Sequence, residues 1–341
     1  MSLEILGIMV LWTFLFGYVI VASIDFGAGF FNAYSELTGK QHILTKIIQR
    51  YLSPVWEVTN VFLVFFFVGI VGFFPKTAFY YGTTLLVPVS IAILLLAVRG
   101  SYYAFETYGT KGHKGYALMY GLTGLVLPAS LSIVLTISEG GFVSMTEGKP
   151  VLDYWALFTS PLTWSIVVLS IIAVLYISSV FLTWYASKAK DTKATDLMRK
   201  YALIWALPTI ITACGIIYEL SFHNQEHFDR IIDLWWMFGL SFLLFIGTVW
   251  LIWKRKNYGL AFGLLVGQFA FAFFGYGLSH YPYLLYPHLT IYDSFTNEAM
   301  AISLVVAFVL GLALLLPSLY LLMRLFLFNK DYVKGSQKNK A

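Results

Sequence analysis

Cysteine is almost missing: the 341 residues contain one, Cys214, set inside an apolar run. A lone thiol builds no intrachain disulfide framework and no thiolate metal site. Charge is scarce as well, with 11% Asp, Glu, Lys and Arg against 59% hydrophobic and 18% aromatic residues. The mean hydropathy is +0.78. Soluble globular domains carry about 25% charged residues, so this composition excludes one and points to a polytopic membrane protein. HExxH, a phosphate-cradling glycine loop and a nucleophile elbow are all missing, which leaves the mechanisms of soluble hydrolases and nucleotidases without support. Histidine is sparse and peripheral: His42, His113, His223, His227, His280 and His288 all fall in connections or at span edges. A membrane haem takes histidine, methionine or thiolate as axial ligand. Met9 and Met119 are available, but methionine on an apolar face is chiefly a packing residue, and the chain is expected to ligate no haem. His223 and His227, with Glu226 and Asp229 nearby, have a spacing that suits an external metal on a helix. A solvated loop is the commoner source of such a run, so no metal ligand is assigned.

What is present is apolar length. A helix rises about 1.5 Å per residue and the hydrocarbon core is about 30 Å thick, so a span needs roughly 17 to 25 mostly apolar residues. Nine stretches qualify, near 5–31, 53–74, 78–104, 116–137, 160–186, 201–221, 234–253, 259–279 and 299–326. The first lacks a basic leader and a small-residue cleavage site and runs too long for a signal peptide, so it reads as a span. Alternating barrel patterns are absent, and backbone groups in lipid must then be satisfied within helices. The expectation is an all-α polytopic membrane protein with nine transmembrane helices. Spans one to four and five to eight would share one orientation, which permits two four-helix bundles, 1–137 and 160–279, a ninth helix 299–326 at the side, and a tail 328–341. A polar connection, 187–200, divides the halves. Pro88, Pro128, Pro208 and Pro317 fall within spans and predict kinks.

Positive charge orients the chain. The connections after spans one, three, five and seven, together with the tail, hold nearly all the lysine and arginine, including Lys188, Lys190, Lys193, Lys254, Arg255 and Lys256. The opposite connections hold only Lys76, Lys149 and Arg230. This asymmetry predicts an outside N-terminus and a cytoplasmic C-terminus. It also accounts for a pI of about 9.0, with no nucleic-acid module alongside it. The tryptophans, such as Trp12, Trp155, Trp235 and Trp253, read as interfacial belt.

Few ionisable residues remain inside spans. Glu219 and Arg324 lie near span ends and reach an interface by snorkelling. Asp25, Glu57 and Arg99 lie deeper, and their depths from the cytoplasmic end agree within roughly one helical turn, so the three can meet. A charge at membrane depth costs roughly 2.5 to 3.5 kcal/mol on insertion scales and pairs with another. Arginine can fork to one carboxylate and leave the second acid for reversible proton uptake. The same trio also reads as a buried salt bridge that fixes helix register. Gly27 and Gly29 remove bulk beyond Asp25, for close packing or for the approach of a partner. From these residues alone a scaffold subunit and an independent secondary transporter both stay open, although no pair of interrupted helices in matching positions supports transport.

Three segments carry a resemblance: SIDFGAGF at 23–30, SPVWEVTNVFLVFFFVGIVGFFP at 53–75, and Arg99-Gly100 leading into YYAFE. Together they are similar to subunit II of the cytochrome bd-type quinol oxidases, specifically over roughly residues 1–110. The resemblance implies a haem-free, multi-pass subunit of the bacterial cytoplasmic membrane. Its partner would be a subunit I that bears two b-type haems and one d-type haem, in a complex that oxidises quinol and reduces dioxygen to water. The chain itself would then ligate no cofactor. It implies also a cytoplasmic proton route, onto which Asp25 and Glu57 map, with Arg99 as charge balance and Trp56, Gly27 and Gly29 as packing residues. Two departures stand out: Ala22 occupies a position where many members have an acid, and Trp56-Glu57-Val58-Thr59 replaces a W-D-G-N run. Thr59 and Asn60 are then the residues to carry hydrogen bonds or hold water along the route. Quinone type, a structural quinone or lipid in this subunit, and a small single-span accessory subunit are left open.

Overall fold

The computed structural model describes residues 2–39, 48, 59–108, 114–293, 295–322 and 324–325, with side chains at all of these except 103–108 and 114. Trp56, Glu57 and the tail 328–341 lie outside the described residues. Among the described residues twelve helices follow one another, with two short hairpins in the connections: α1 Leu3–Leu37, α2 Thr59–Phe73, α3 Pro75–Thr84, α4 Leu86–Tyr108, α5 Lys114–Ser138, β1 Val143–Thr146, β2 Lys149–Leu152, α6 Tyr154–Thr159 and α7 Pro161–Lys188. Then come α8 Thr192–His223, α9 Gln225–Asp233, α10 Trp235–Trp253, α11 Tyr258–His280, β3 Tyr283–Leu285, β4 Leu289–Thr290 and α12 Glu298–Leu322.

Seven of these helices, α1, α5, α7, α8, α10, α11 and α12, are long and apolar enough to cross a bilayer, and α2 with α3 meets the same test jointly although bent by 118°. The described residues therefore carry seven or eight candidate spans, with a shorter apolar stretch, Leu86–Tyr102, in α4. The expected third span, 78–104, is not one helix. Pro75 opens α3 without a backbone donor, so α2 stops at Phe73, and a second break at Leu85 separates α3 from α4. Pro88 sits in the first turn of α4, where its missing N–H has no intrahelical bond to lose. The polar connection expected at 187–200 is mostly helix. Asp191 accepts a bond from the Ala194 amide at 3.0 Å and starts α8 nine residues before the apolar run. The all-α expectation holds, with two short antiparallel hairpins, β1–β2 and β3–β4, in the connections.

Helix direction alternates, since α7 and α8 are joined by three residues and α10 and α11 by four. One end of the molecule thus gathers the start of α1 and the ends of α5, α8 and α11, and both hairpins pack there with Ile137, Leu157, Leu285 and Leu289. The other end carries Lys188, Lys190, Lys193 and Lys254 to Lys256. At the centre runs α7, every residue of which is buried from Val174 to Thr183. Outward faces are apolar instead: Val64, Val68 and Val71 on α2, and Val306, Val309 and Leu310 on α12, are more than half exposed. An apolar exterior of this kind is a lipid or partner surface.

Small residues set how closely α1 approaches its neighbours. A side-chain carbon at Gly27 would overlap Ser178 Cβ and lie 2.8 Å from the Val174 carbonyl oxygen, so α1 and α7 touch nearly backbone to backbone. Gly124 plays the same part between α5 and the Phe26 carbonyl. Gly27→Ala must push α1 and α7 apart, an overpacking cost of about 1–3 kcal/mol, and lowers the apparent melting temperature in detergent by roughly 2–10 °C. Gly263→Ala, where nothing lies within 4 Å, serves as the control; equal melting of the two variants contradicts the packing account.

Candidate functional site

Asp25 and Arg99 meet, as their depths in the sequence allowed. Arg99 Nη2 lies 2.8 Å from Asp25 Oδ2, with both side chains buried. The same nitrogen reaches the Asp25 carbonyl at 3.3 Å, and Nη1 donates to the Tyr120 carbonyl at 2.9 Å. Tyr120 completes the set by donating its hydroxyl to Asp25 Oδ1 at 2.7 Å. Both carboxylate oxygens are therefore bonded, and the guanidinium ties α4 to α1 and to α5 at once.

Aromatic rings close this site from the sides. The guanidinium carbon stands 3.9 Å from the Tyr120 ring centre and 4.9 Å from that of Phe26, close enough for cation–π attraction in a desolvated setting. Tyr102 stacks on Tyr120 at 4.3 Å between centroids. Absent side chains make the room: Gly29 faces the Tyr120 ring, and Gly124 leaves space for Arg99 Nη1. From α7, Ser178 donates to the Ile24 carbonyl at 3.0 Å, holding the backbone just before Asp25. Four helices thus define the position of one carboxylate. A charged pair so deeply buried must have both partners, because removing one strands the other at a cost of about 3–5 kcal/mol.

Of the other residues singled out in the sequence, Thr59 is buried and Asn60 half-buried at the start of α2. Tyr120 and Ser178 were not singled out. Nothing local distinguishes Tyr120 among 23 tyrosines, and its role follows from the register of α5 on α1, which no single segment displays.

The helical spacing assumed for His223 and His227 fails. Asn224 ends α8 and caps α9, accepting from the His227 amide at 3.2 Å, so the two histidines belong to different helices. His223 stacks on Phe142 and lies 3.0 Å from the Gly140 carbonyl oxygen. His227 turns inward, where it lies 2.8 Å from Glu139 Oε2, with His280 and Tyr276 around the same carboxylate. Burial pushes the Glu139 carboxyl up, but the His227 hydrogen bond, the fields of His280 and His227 and the Tyr276 hydrogen bond outweigh it and hold the group below the usual carboxylate range. Glu139 was missed because it stands at a span end, where an acid ordinarily meets solvent. The signal available was EGG at 139–141, an acid followed by two glycines with φ of +83° and +81° that turn the chain sharply over it. Tyr120 and Glu139 bound nearly the whole of α5, which at about 1.5 Å per residue separates the two clusters by about 28 Å.

The family profile for cytochrome bd terminal oxidase subunit II matches residues 3–326. The chain is 31% identical over 342 residues to the putative cytochrome bd menaquinol oxidase subunit II of Bacillus subtilis (strain 168), covering 98% of each. Among solved structures, a chain of the bd oxidase from Geobacillus thermodenitrificans is 66% identical, with a TM-score of 0.86 over 97% of this chain and 100% of that one. The fold, the buried Arg99 cluster and these matches lead to one conclusion: the chain belongs to the cytochrome bd terminal oxidase subunit II family.

Proposed function

We propose that the chain is the haem-free subunit of a quinol-oxidising, dioxygen-reducing complex of the bacterial cytoplasmic membrane, that it stabilises a haem-bearing subunit I, and that it supplies part of a proton route from the cytoplasm. The observation that carries the reading is Asp25, a carboxylate buried in α1 and held by Arg99 and Tyr120. On the nine-span reading, with the N-terminus outside, this carboxylate lies toward the basic, cytoplasmic end. Arg99 and Tyr120 commit Asp25 to fixed partners, so Asp25 orders the inner end of the route. Glu57 is the acid assigned to exchange the proton, with Thr59 and Asn60 carrying hydrogen bonds or water beside it.

The haems are assigned to subunit I, and none to this chain. His227 and His280 crowd one carboxylate beside a cavity of about 10 Å³, far too small for a porphyrin. The haems, when bound to subunit I, supply electron transfer and oxygen reduction; this chain's residues supply packing and move protons toward that subunit. Quinol oxidation is assigned to subunit I as well.

Glu57→Gln is expected to lower quinol-driven oxygen consumption at least tenfold while the b-type and d-type haem spectra of the complex persist; normal turnover in that variant removes Glu57 from the route. The complete bonding of Asp25 favours a second reading, in which the cluster is a structural lock alone. Arg99→Gln leaves Asp25 buried without its cation, and at about 3–5 kcal/mol it should cut the yield of haem-containing complex several-fold. Arg99→Gln complex recovered at wild-type yield would contradict the stabilising role.

A further inference from the structure

The cluster at the other end of α5 gathers one carboxylate and two imidazoles. Ser279 Oγ lies 2.9 Å from the Tyr276 carbonyl oxygen and 2.7 Å from His227 Nε2, so its one hydroxyl proton serves one or the other. Donated to the carbonyl, it leaves His227 to donate from Nε2 and to turn the lone pair of Nδ1 toward Glu139. That nitrogen lies 2.8 and 3.1 Å from the two oxygens of Glu139. In that tautomer two acceptors face each other, an arrangement that a cation between them satisfies. The carboxylate is further oriented by the Tyr276 hydroxyl and by Asn224 Nδ2 at 3.3 Å, both donors.

His280 faces the same carboxylate without a hydrogen bond to it. Its Nε2 is buried and has no hydrogen-bond partner among the described residues, and its Nδ1 stands 3.8 Å from Glu139 Oε1, too far for a hydrogen bond. Leaving a buried imidazole unpaired costs about 1–3 kcal/mol. The side chain is nevertheless kept in place, stacked on Tyr276 and edge-on to His227 at 5.0 Å.

We propose that Glu139, His227 and His280 form a binding site for one divalent cation of the zinc class. One ligand atom from each lies within 4.8 Å of the other two. A tetrahedral ion with bonds of about 2.0–2.1 Å sets its ligands about 3.3 Å apart. From Glu139 Oε1 the separations of 3.1 Å to His227 Nδ1 and 3.8 Å to His280 Nδ1 bracket that value. Two imidazoles and a carboxylate are a borderline-ion donor set, and hard ions such as magnesium prefer oxygen alone. Ser279 behind His227 is the outer partner that fixes the ring's tautomer and direction. A cavity of about 10 Å³ beside His227 and His280 has room for about one water, enough for a fourth ligand. Glu226 lines that cavity and adds negative charge, balanced by Arg230 at 2.5 Å. The site joins the ends of α5 and α11 to α9, so the ion would clamp three elements at the end opposite Asp25. It stands independently of the oxidase reading.

The test uses the protein purified with its natural partners, stripped with a chelator, re-equilibrated with zinc chloride and desalted. Mass-spectrometric metal analysis should return about one zinc per chain, and both Glu139→Gln and His280→Gln should weaken zinc retention at least tenfold. Zinc K-edge absorption of the unsubstituted protein should show scattering from two imidazoles and otherwise oxygen ligands, a readout that holds even if the variants fail to assemble. No zinc retained above the buffer, equal retention by the variants, or a spectrum without imidazole overturns the proposal and leaves an ordinary histidine–carboxylate hydrogen bond between His227 and Glu139.

Discussion

One buried cation organises the end of the molecule that matters most to the proposed function. Arg99 stands where neither lipid nor water can satisfy it, so the fold must bring it a carboxylate, two carbonyls and two ring faces. The partners come from two helices: Asp25 and Phe26 from α1, Tyr120 from α5. Close approach of these helices is a condition of the pairing, and the glycines at 27, 29 and 124 are the positions where a side chain would prevent it. Ion pair and glycine spacing are thus one constraint seen from two sides. The apolar contacts around α7 gain their register from it.

The second polar cluster obeys the same rule with different chemistry. At the far end of α5, about 28 Å away along the helix, a carboxylate is again enclosed by helix ends, but its neighbours are imidazoles and hydroxyls in place of arginine. The separation is close to the thickness of the hydrocarbon core, about 30 Å. The ends of the bundle therefore differ in kind: one is closed by a fixed ion pair, the other by a set of donors with room for an ion. An apolar exterior between them, broad on α2 and α12, leaves polar interactions to the two ends.

Much of this was legible in the sequence because the solvent is lipid. Apolar length marked the helices, and the cost of an isolated charge made Asp25 and Arg99 conspicuous and required them to meet. Asp25 on α1 and Arg99 on α4 lie at matching heights in the packed helices, as the counting of residues along the spans allowed. Where reading failed, the cause was local chemistry that overrides hydropathy. Pro75 and Leu85 break a continuous apolar run into α2, α3 and α4; Asp191 starts α8 inside a polar stretch; Asn224 separates His223 from His227. Tyr120, Ser178 and Glu139 were silent for another reason. Their partners lie 95, 154 and 88 residues away, so only the packed structure gives them meaning.

The account rests on the claim that the Asp25–Arg99 pair serves proton delivery as well as assembly. The direct measurement is proton uptake during a single turnover of the reduced complex in vesicles, followed with a pH-sensitive dye, for the wild type and for the neutral-pair variant Asp25→Asn with Arg99→Gln. Removing both charges together avoids an unpaired buried ion, so assembly and haem content are predicted to persist while proton uptake slows at least tenfold. Uptake at the wild-type rate in a fully assembled variant would contradict the account and leave the pair a structural lock.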